Sequence, residues 1–219
     1  MGIDMKRLLV IATLVLFSSQ ATAEGWVKGV KAYINGDYAT ALKELLPIGK
    51  ESETFVQVNL GRMYENGLGV EKDYSEAAKW YRLAAERGDI EGQKLLGLVY
   101  FYHDVENFAW ASAASVTELT KWLTLAAEQG DKQAQHHLGE RYGSAYYFFK
   151  TEFEPEKAVK WYRLAAEQGY AGSQEALGIY YKNGKGVIKN YAKAVKWFRR
   201  AAVQGDIWGP QQLAIMYEE

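Results

Sequence analysis

The chain contains no cysteine. That excludes disulfide frameworks, thiolate metal sites, cysteine nucleophiles and a lipid-modified N-terminal cysteine. Proline is scarce, three against 21 glycines in 219 residues, which favours long helices closed by glycine turns over a many-stranded β fold. Neither sign of charge dominates. With 26 Lys and Arg against 27 Asp and Glu, the chain lacks the basic surplus of a phosphate-tracking nucleic-acid binder. What is plentiful is apolar: 48% of residues are hydrophobic, enough to bury a sizeable core and to exclude disorder at a length suited to one or two domains.

No apolar run is long enough to stay in a membrane. Lys6 and Arg7 precede a ten-residue apolar stretch from Leu8 to Phe17, and Ala21-Thr22-Ala23 has the small-x-small form of a cleavage site. Ten helical residues fall well short of a hydrocarbon core about 30 Å thick, so residues 1–23 read as a secretory signal and not as an anchor. Met5 suits an initiator better than Met1, because Asp4 would place an acid in the basic n-region. The mature chain is expected to begin at Glu24, in a periplasmic or secreted location, with no membrane insertion after cleavage. No Asn precedes Ser or Thr at the glycosylation spacing, and a bacterial periplasm fits better than a eukaryotic lumen.

Self-comparison is more informative. A Leu-Gly-x-x-Tyr unit recurs as Leu60-Gly61…Tyr64, Leu96-Gly97…Tyr100, Leu138-Gly139…Tyr142 and Leu177-Gly178…Tyr181, with a near copy at Leu213-Ala214…Tyr217. Each full copy is followed by a Lys-Trp…Ala-Ala unit: Trp80 with Ala84-Ala85, Trp122 with Ala126-Ala127, Trp161 with Ala165-Ala166, and Trp197 with Ala201-Ala202. Gly88, Gly130, Gly169 and Gly205 close these units. The four-residue intervals place each set on one face of a helix, so every repeat reads as a helix A and a helix B. Glycine inside a helix costs about 1 kcal/mol against alanine, so its recurrence beside the same Leu predicts the close approach of another backbone. The closing glycine is expected in the left-handed region that ends a helix. Seventeen residues always separate Trp from the next repeat's Gly, whereas the Gly-to-Trp interval is 19, 25, 22 and 19. All length variation thus lies between A and B of repeats two and three. The two standard repeats carry Gly67-Leu68-Gly69-Val70 or Gly184-Lys185-Gly186-Val187 at this point.

These units, with Asp73-Tyr74-x-x-Ala77…Trp80-Tyr81 and Gly88-Asp89, resemble the Sel1-like repeat, the longer relative of the tetratricopeptide repeat. The resemblance implies an all-α fold, a right-handed α-solenoid of stacked helix hairpins that binds other proteins. It partitions the chain into a capping hairpin at 24–53, repeats at 54–89, 90–131, 132–170 and 171–206, and a capping helix at 207–219. It also implies an envelope role as regulator, assembly factor or immunity protein against a secreted toxin, lipase-type effectors included.

Catalytic and cofactor motifs are missing. There is no phosphate loop, no G-x-S-x-G and no H-E-x-x-H, so neither an enzyme nor a cofactor or metal is expected. His136 and His137 point about 100° apart on a helix and cannot chelate one metal together. His136 with Glu140 could offer two ligands, too few on their own. The alternative class is an envelope hydrolase acting on peptidoglycan or β-lactam bonds, drawing on His103, His136 or Glu140. The repeat Trp residues read as core. Two surfaces remain for a protein partner. One is the pair of expanded loops, with Phe101, Tyr102, Phe108 and Trp110 in the first and Tyr146, Tyr147, Phe148, Phe149 and Phe153 in the second, serving either as a binding rim or as a satellite core. The other is the helix A row two residues either side of the repeat Leu: Val58, Arg62, Lys94, Leu98, His136, Glu140, Glu175 and Ile179. This row is expected to be exposed and to line the concave face. If residues 1–23 are a signal, intact-mass measurement of exported protein should give a chain beginning at Glu24; retention of that segment would refute the reading.

Overall fold

The computed structural model describes residues 20–103, 112–143, 153–204 and 208–218, and every element among them is an α-helix. None is long and apolar enough to cross a membrane. The chain divides into two compact units, Met1–Gly92 and Gln93–Glu219.

In the first unit α1 (Gln20–Ile34) and α2 (Tyr38–Leu45) form a hairpin, and α3 (Thr54–Asn66) pairs with α4 (Tyr74–Glu86). Asp37 caps α2 by accepting from the Thr40 amide, and Asp73 caps α4 by accepting from the Ser75 and Glu76 amides. Trp26, Val30, Leu45, Leu60, Met63 and Trp80 form one buried cluster.

The second unit contains the body of α5 (Ile90–Tyr102), then α6 (Ala113–Glu128), α7 (Lys132–Gly143), α8 (Pro155–Glu167), α9 (Ala171–Asn183), α10 (Tyr191–Val203) and α11 (Trp208–Glu218). Successive helices pack on one another from α6 to α11, and Tyr162, Leu177, Tyr180, Tyr181 and Phe198 centre its core. Phe101 and Tyr102 belong to the last turn of α5 and not to a loop; His103 follows directly.

The repeated helical glycine seats a side chain where an approaching backbone was expected. A Cβ on Gly61 would stand 2.4 Å from Tyr81, on Gly139 2.4 Å from Tyr162, and on Gly178 2.3 Å from Phe198. At Gly97 the neighbour is Leu123, at 2.7 Å. The occupant is always the residue after the repeat Trp. It is buried in all four repeats, whereas Trp80 and Trp122 are buried but Trp161 and Trp197 only half-buried. Backbone contact is made elsewhere. A Cβ on Gly92 would meet Ala84 Cβ at 2.7 Å and the Ala85 amide nitrogen at 2.9 Å, so the paired alanines admit the next helix. Gly69 and Gly186, the second glycines of the two short A-to-B turns, lie against the main chain of Tyr38 and Pro155, which open the preceding B helices.

Left-handed backbone occurs at both kinds of turn: φ is +84° at Gly169 and +60° at Gly186. They differ in surroundings, because nothing lies within 4 Å of a Cβ on Gly169, whereas one on Gly186 would stand 2.5 Å from the Pro155 carbonyl carbon. Gly169→Ala should therefore cost about 1 kcal/mol, the backbone penalty alone. Gly186→Ala should cost about 1–3 kcal/mol more, by overpacking. Urea denaturation of the two variants measures the difference; equal costs would deny the close approach.

Candidate functional site

In the second unit Glu140 of the helix A row is gripped by two histidines. His137 lies three residues before it and His136 four, so from one turn of α7 both rings reach its carboxylate. His137 Nδ1 is 2.7 Å from Oε2, and His136 Nε2 is 3.6 Å from Oε1. The other ring nitrogen of His136, Nδ1, is 2.9 Å from Ser173 Oγ on α9. Aromatic rings enclose the pair. The His136 ring is 4.7 Å from Tyr170 and 5.7 Å from Tyr162 between centroids, and the His137 ring is 5.4 Å from Phe101 and 5.9 Å from Tyr102.

Burial pushes the Glu140 carboxyl upward, but the hydrogen bonds and charge of the two imidazoles outweigh it and hold the group at about 2. Burial, then the Glu140 charge, pushes the Tyr102 and Tyr170 hydroxyls up, so both remain protonated donors near neutral pH. Tyr102 is 53% exposed and the Glu140 side chain 39%, so solvent and a partner can reach the mouth of the cluster. Such a surface can hydrogen-bond and stack. His136 and Glu140, on which a hydrolase would draw, commit their polar atoms to each other, to His137 and to Ser173. Among the described residues no group of three His, Cys, Asp or Glu is arranged to hold a metal.

The rest of the row is less open than its register implied. Val58 and Lys94 are buried, and Arg62, Leu98, Glu175 and Ile179 are half-buried. Lys94 lays its aliphatic stem among neighbours while its ammonium lies 3.8 Å from Asp131 and donates to Gln133 at 3.0 Å. Arg62 is paired with Glu91 at 2.7 Å in the first unit. Of the aromatic loop residues, Phe101 is buried against His137 and Phe153 is exposed just before α8. Phe108, Trp110, Tyr146, Tyr147, Phe148 and Phe149 lie outside the described residues.

One repeated feature escaped the sequence reading. Gln57, Gln93, Gln135 and Gln174 stand four residues before the repeat glycines, and all are buried. Gln135 donates to the Ala127 carbonyl at 3.0 Å and Gln174 to the Ala166 carbonyl at 3.1 Å, satisfying the ends of the preceding B helices. Their side-chain oxygens accept from Gln168 and Gln204 at 2.8 and 2.7 Å, and Gln93 accepts from Gln129 at 2.7 Å. These donors lie seven residues after the repeat Trp. In the first repeat that place is Arg87, which donates to the Lys50 and Ser52 carbonyls, and Gln57 Oε1 has no partner among the described residues. The signal was a glutamine at a fixed offset from glycine.

Residues 55–89, 120–131, 132–170 and 171–206 match the Sel1 repeat. The chain belongs to the Sel1-repeat family. Repeats of this family mediate protein–protein interaction. No curated protein matches the chain. Among solved structures, a Sel1 repeat protein from Oxalobacter formigenes is 31% identical with a TM-score of 0.73, over 87% of this chain and 75% of that one. The protective antigen c5321 of uropathogenic Escherichia coli is 34% identical with a TM-score of 0.70, over 80% of this chain. This chain spans only 36% of that antigen. The immunity protein Pa5087 of Pseudomonas aeruginosa, 24% identical with a TM-score of 0.47 over 78% of this chain and 60% of that one, is too distant to speak for function.

For this Sel1-repeat protein the Glu140 cluster gives a pH signature. A carboxyl held at about 2 against an ordinary 4.5 stabilises the fold fully above about 4.5, and that contribution is lost as pH falls toward 2. Glu140→Gln should lower the unfolding free energy from urea denaturation at pH 6 by less than about 1 kcal/mol, discounted for a carboxylate this exposed, and converge on wild type by about pH 2. A difference that stays constant over that range would detach the carboxylate from the histidines.

Proposed function

We propose that the chain is a non-catalytic protein-binding scaffold of the bacterial envelope, exported by its leader, which occupies and modulates the surface of another protein. The observation that carries this is a division of labour within each repeat. Leu, Gly, the residue after Trp, the paired Ala and the buried Gln recur and fill the core. The row positions around them differ in every repeat: Val58 and Arg62, Lys94 and Leu98, His136 and Glu140, Glu175 and Ile179. Recurring residues keep the frame constant, and changing residues give each repeat its own contact chemistry. The Glu140 cluster is the most elaborate of these contacts, with a tyrosine at its mouth of the kind that anchors interfaces. A narrower form of the same role is immunity, in which the bound protein is a toxin such as a lipase effector; the export signal expected at residues 1–23 motivates it.

A photo-reactive amino acid at Tyr102 tests the scaffold in cells, with one at exposed Lys160 on the outer side of α8 as control. One discrete protein should be captured at position 102 and not at 160. Adding Glu175→Lys should reduce that capture at least tenfold, with the thermal melt recorded alongside to separate a lost contact from a lost fold. Capture at 160 alone would refute the row as the contact surface.

A further inference from the structure

Helix α10 departs from the other B helices on its outward side. Where α4, α6 and α8 carry Glu86, Glu128 and Glu167, α10 has Val203; where they carry Leu, it has Arg200. Where α4 and α6 carry Glu76 and Glu118, it has Lys193. Both acids are thus gone from this helix, whereas α8 shares only the lysine at the second place, Lys157, and keeps Glu167. Lys193, Lys196, Arg199, Arg200 and Val203 are all exposed, and at helical pitch they share a sector about 120° wide. Lys182, Lys185 and Lys189 precede them, so seven of the 26 Lys and Arg fall between 176 and 205 without one Asp or Glu. Elsewhere 19 cations face 27 acids, so a nearly neutral chain holds one strongly positive segment.

Two of the cations lie over aromatic rings. Lys193 stands 5.2 Å over Tyr181 and Arg200 4.9 Å over Trp197. No ion pair ties Lys193, Lys196 or Arg200 to a carboxylate among the described residues. Val203 is 89% exposed, and together with Arg199, Arg200 and Gln204 it lines a shallow groove whose other wall includes Glu167.

We propose that this surface of α10 docks an acidic segment of the protein partner, with carboxylates recurring at the one-turn spacing of Lys193, Lys196 and Arg200 and an apolar side chain against Val203. The proposal rests on the scaffold reading and adds the chemistry of what is bound. A protein segment is favoured over an anionic lipid surface because the cations form one narrow stripe beside a groove that contains Glu167. A sheet of headgroups would be repelled by that carboxylate, whereas a peptide can donate to it. Complementary charge of this kind acts mainly on association rate and weakens with salt.

The full chain should be titrated with a labelled helical peptide of repeating Glu-Ala-Ala-Glu-Ala-Ala-Ala, and with an isomer whose glutamates form one block. The patterned peptide is expected to bind at least tenfold more tightly than the blocked one and to weaken several-fold between 50 and 200 mM salt. The charge reversal Lys193→Glu, Lys196→Glu, Arg200→Glu should abolish this preference while the thermal melt stays unchanged. Equal affinity for the two peptides would overturn the proposal, as would variant-sensitive binding to phosphatidylglycerol vesicles that exceeds peptide binding. Failure here with capture at Tyr102 intact would remove only the α10 assignment; loss of capture at Tyr102 would strike the scaffold reading itself.

Discussion

The structure depends on one contact made once in every repeat: a large side chain of helix B laid on the bare backbone of a helix A glycine. Tyr81 on Gly61, Leu123 on Gly97, Tyr162 on Gly139 and Phe198 on Gly178 occupy space that any Cβ would take. An aromatic ring buried there contributes far more apolar area than an alanine methyl could, which offsets the roughly 1 kcal/mol that glycine costs inside a helix. The same contact sets the distance between A and B. With that distance fixed, the paired alanines admit the following helix and the buried glutamines reach the carbonyls left open at the end of the preceding one.

How much of this can be read in advance depends on whether the signal is a position or a partner. Periodicity placed Leu, Tyr, Trp and Ala on the faces they occupy, because a helix of 3.6 residues per turn leaves little choice. It could not say what lies across from Gly61, since the opposing residue is 20 positions away and its identity alternates among Tyr, Leu and Phe. The glutamines were overlooked for a different reason. A polar side chain in a helix is ordinarily assigned to solvent, yet here an amide serves because it can donate to a main-chain carbonyl and accept from a second amide at once. Lys94 misled in the same way, its stem buried and its charge satisfied.

At the candidate site the geometry was half legible. Two adjacent histidines diverge by about 100°, and for a single metal point that divergence is decisive. A carboxylate is not a point. Its two oxygens are separate acceptors, so Oε2 takes His137 while Oε1 faces His136, and the divergence becomes a means of gripping one group from two sides. Tyr102 joined the site because α5 continues far enough to carry it there, whereas sequence length alone assigned it to the expanded segment that follows.

These contacts also explain how the repeats can diverge without losing the fold. In a repeat array each unit is stabilised by its own packing and by its immediate neighbours, so a change on an outward position is not transmitted along the chain. The core contact, the alanine pair and the glutamine bonds all lie inside or between adjacent helices and leave two sides free to vary in sequence: the helix A row and the outward side of helix B. Selection on either can proceed one repeat at a time. The histidines and carboxylate of α7 and the cations of α10 show how far single repeats have moved from the shared pattern, while Gly139 with Tyr162 and Gly178 with Phe198 keep the same geometry beneath them.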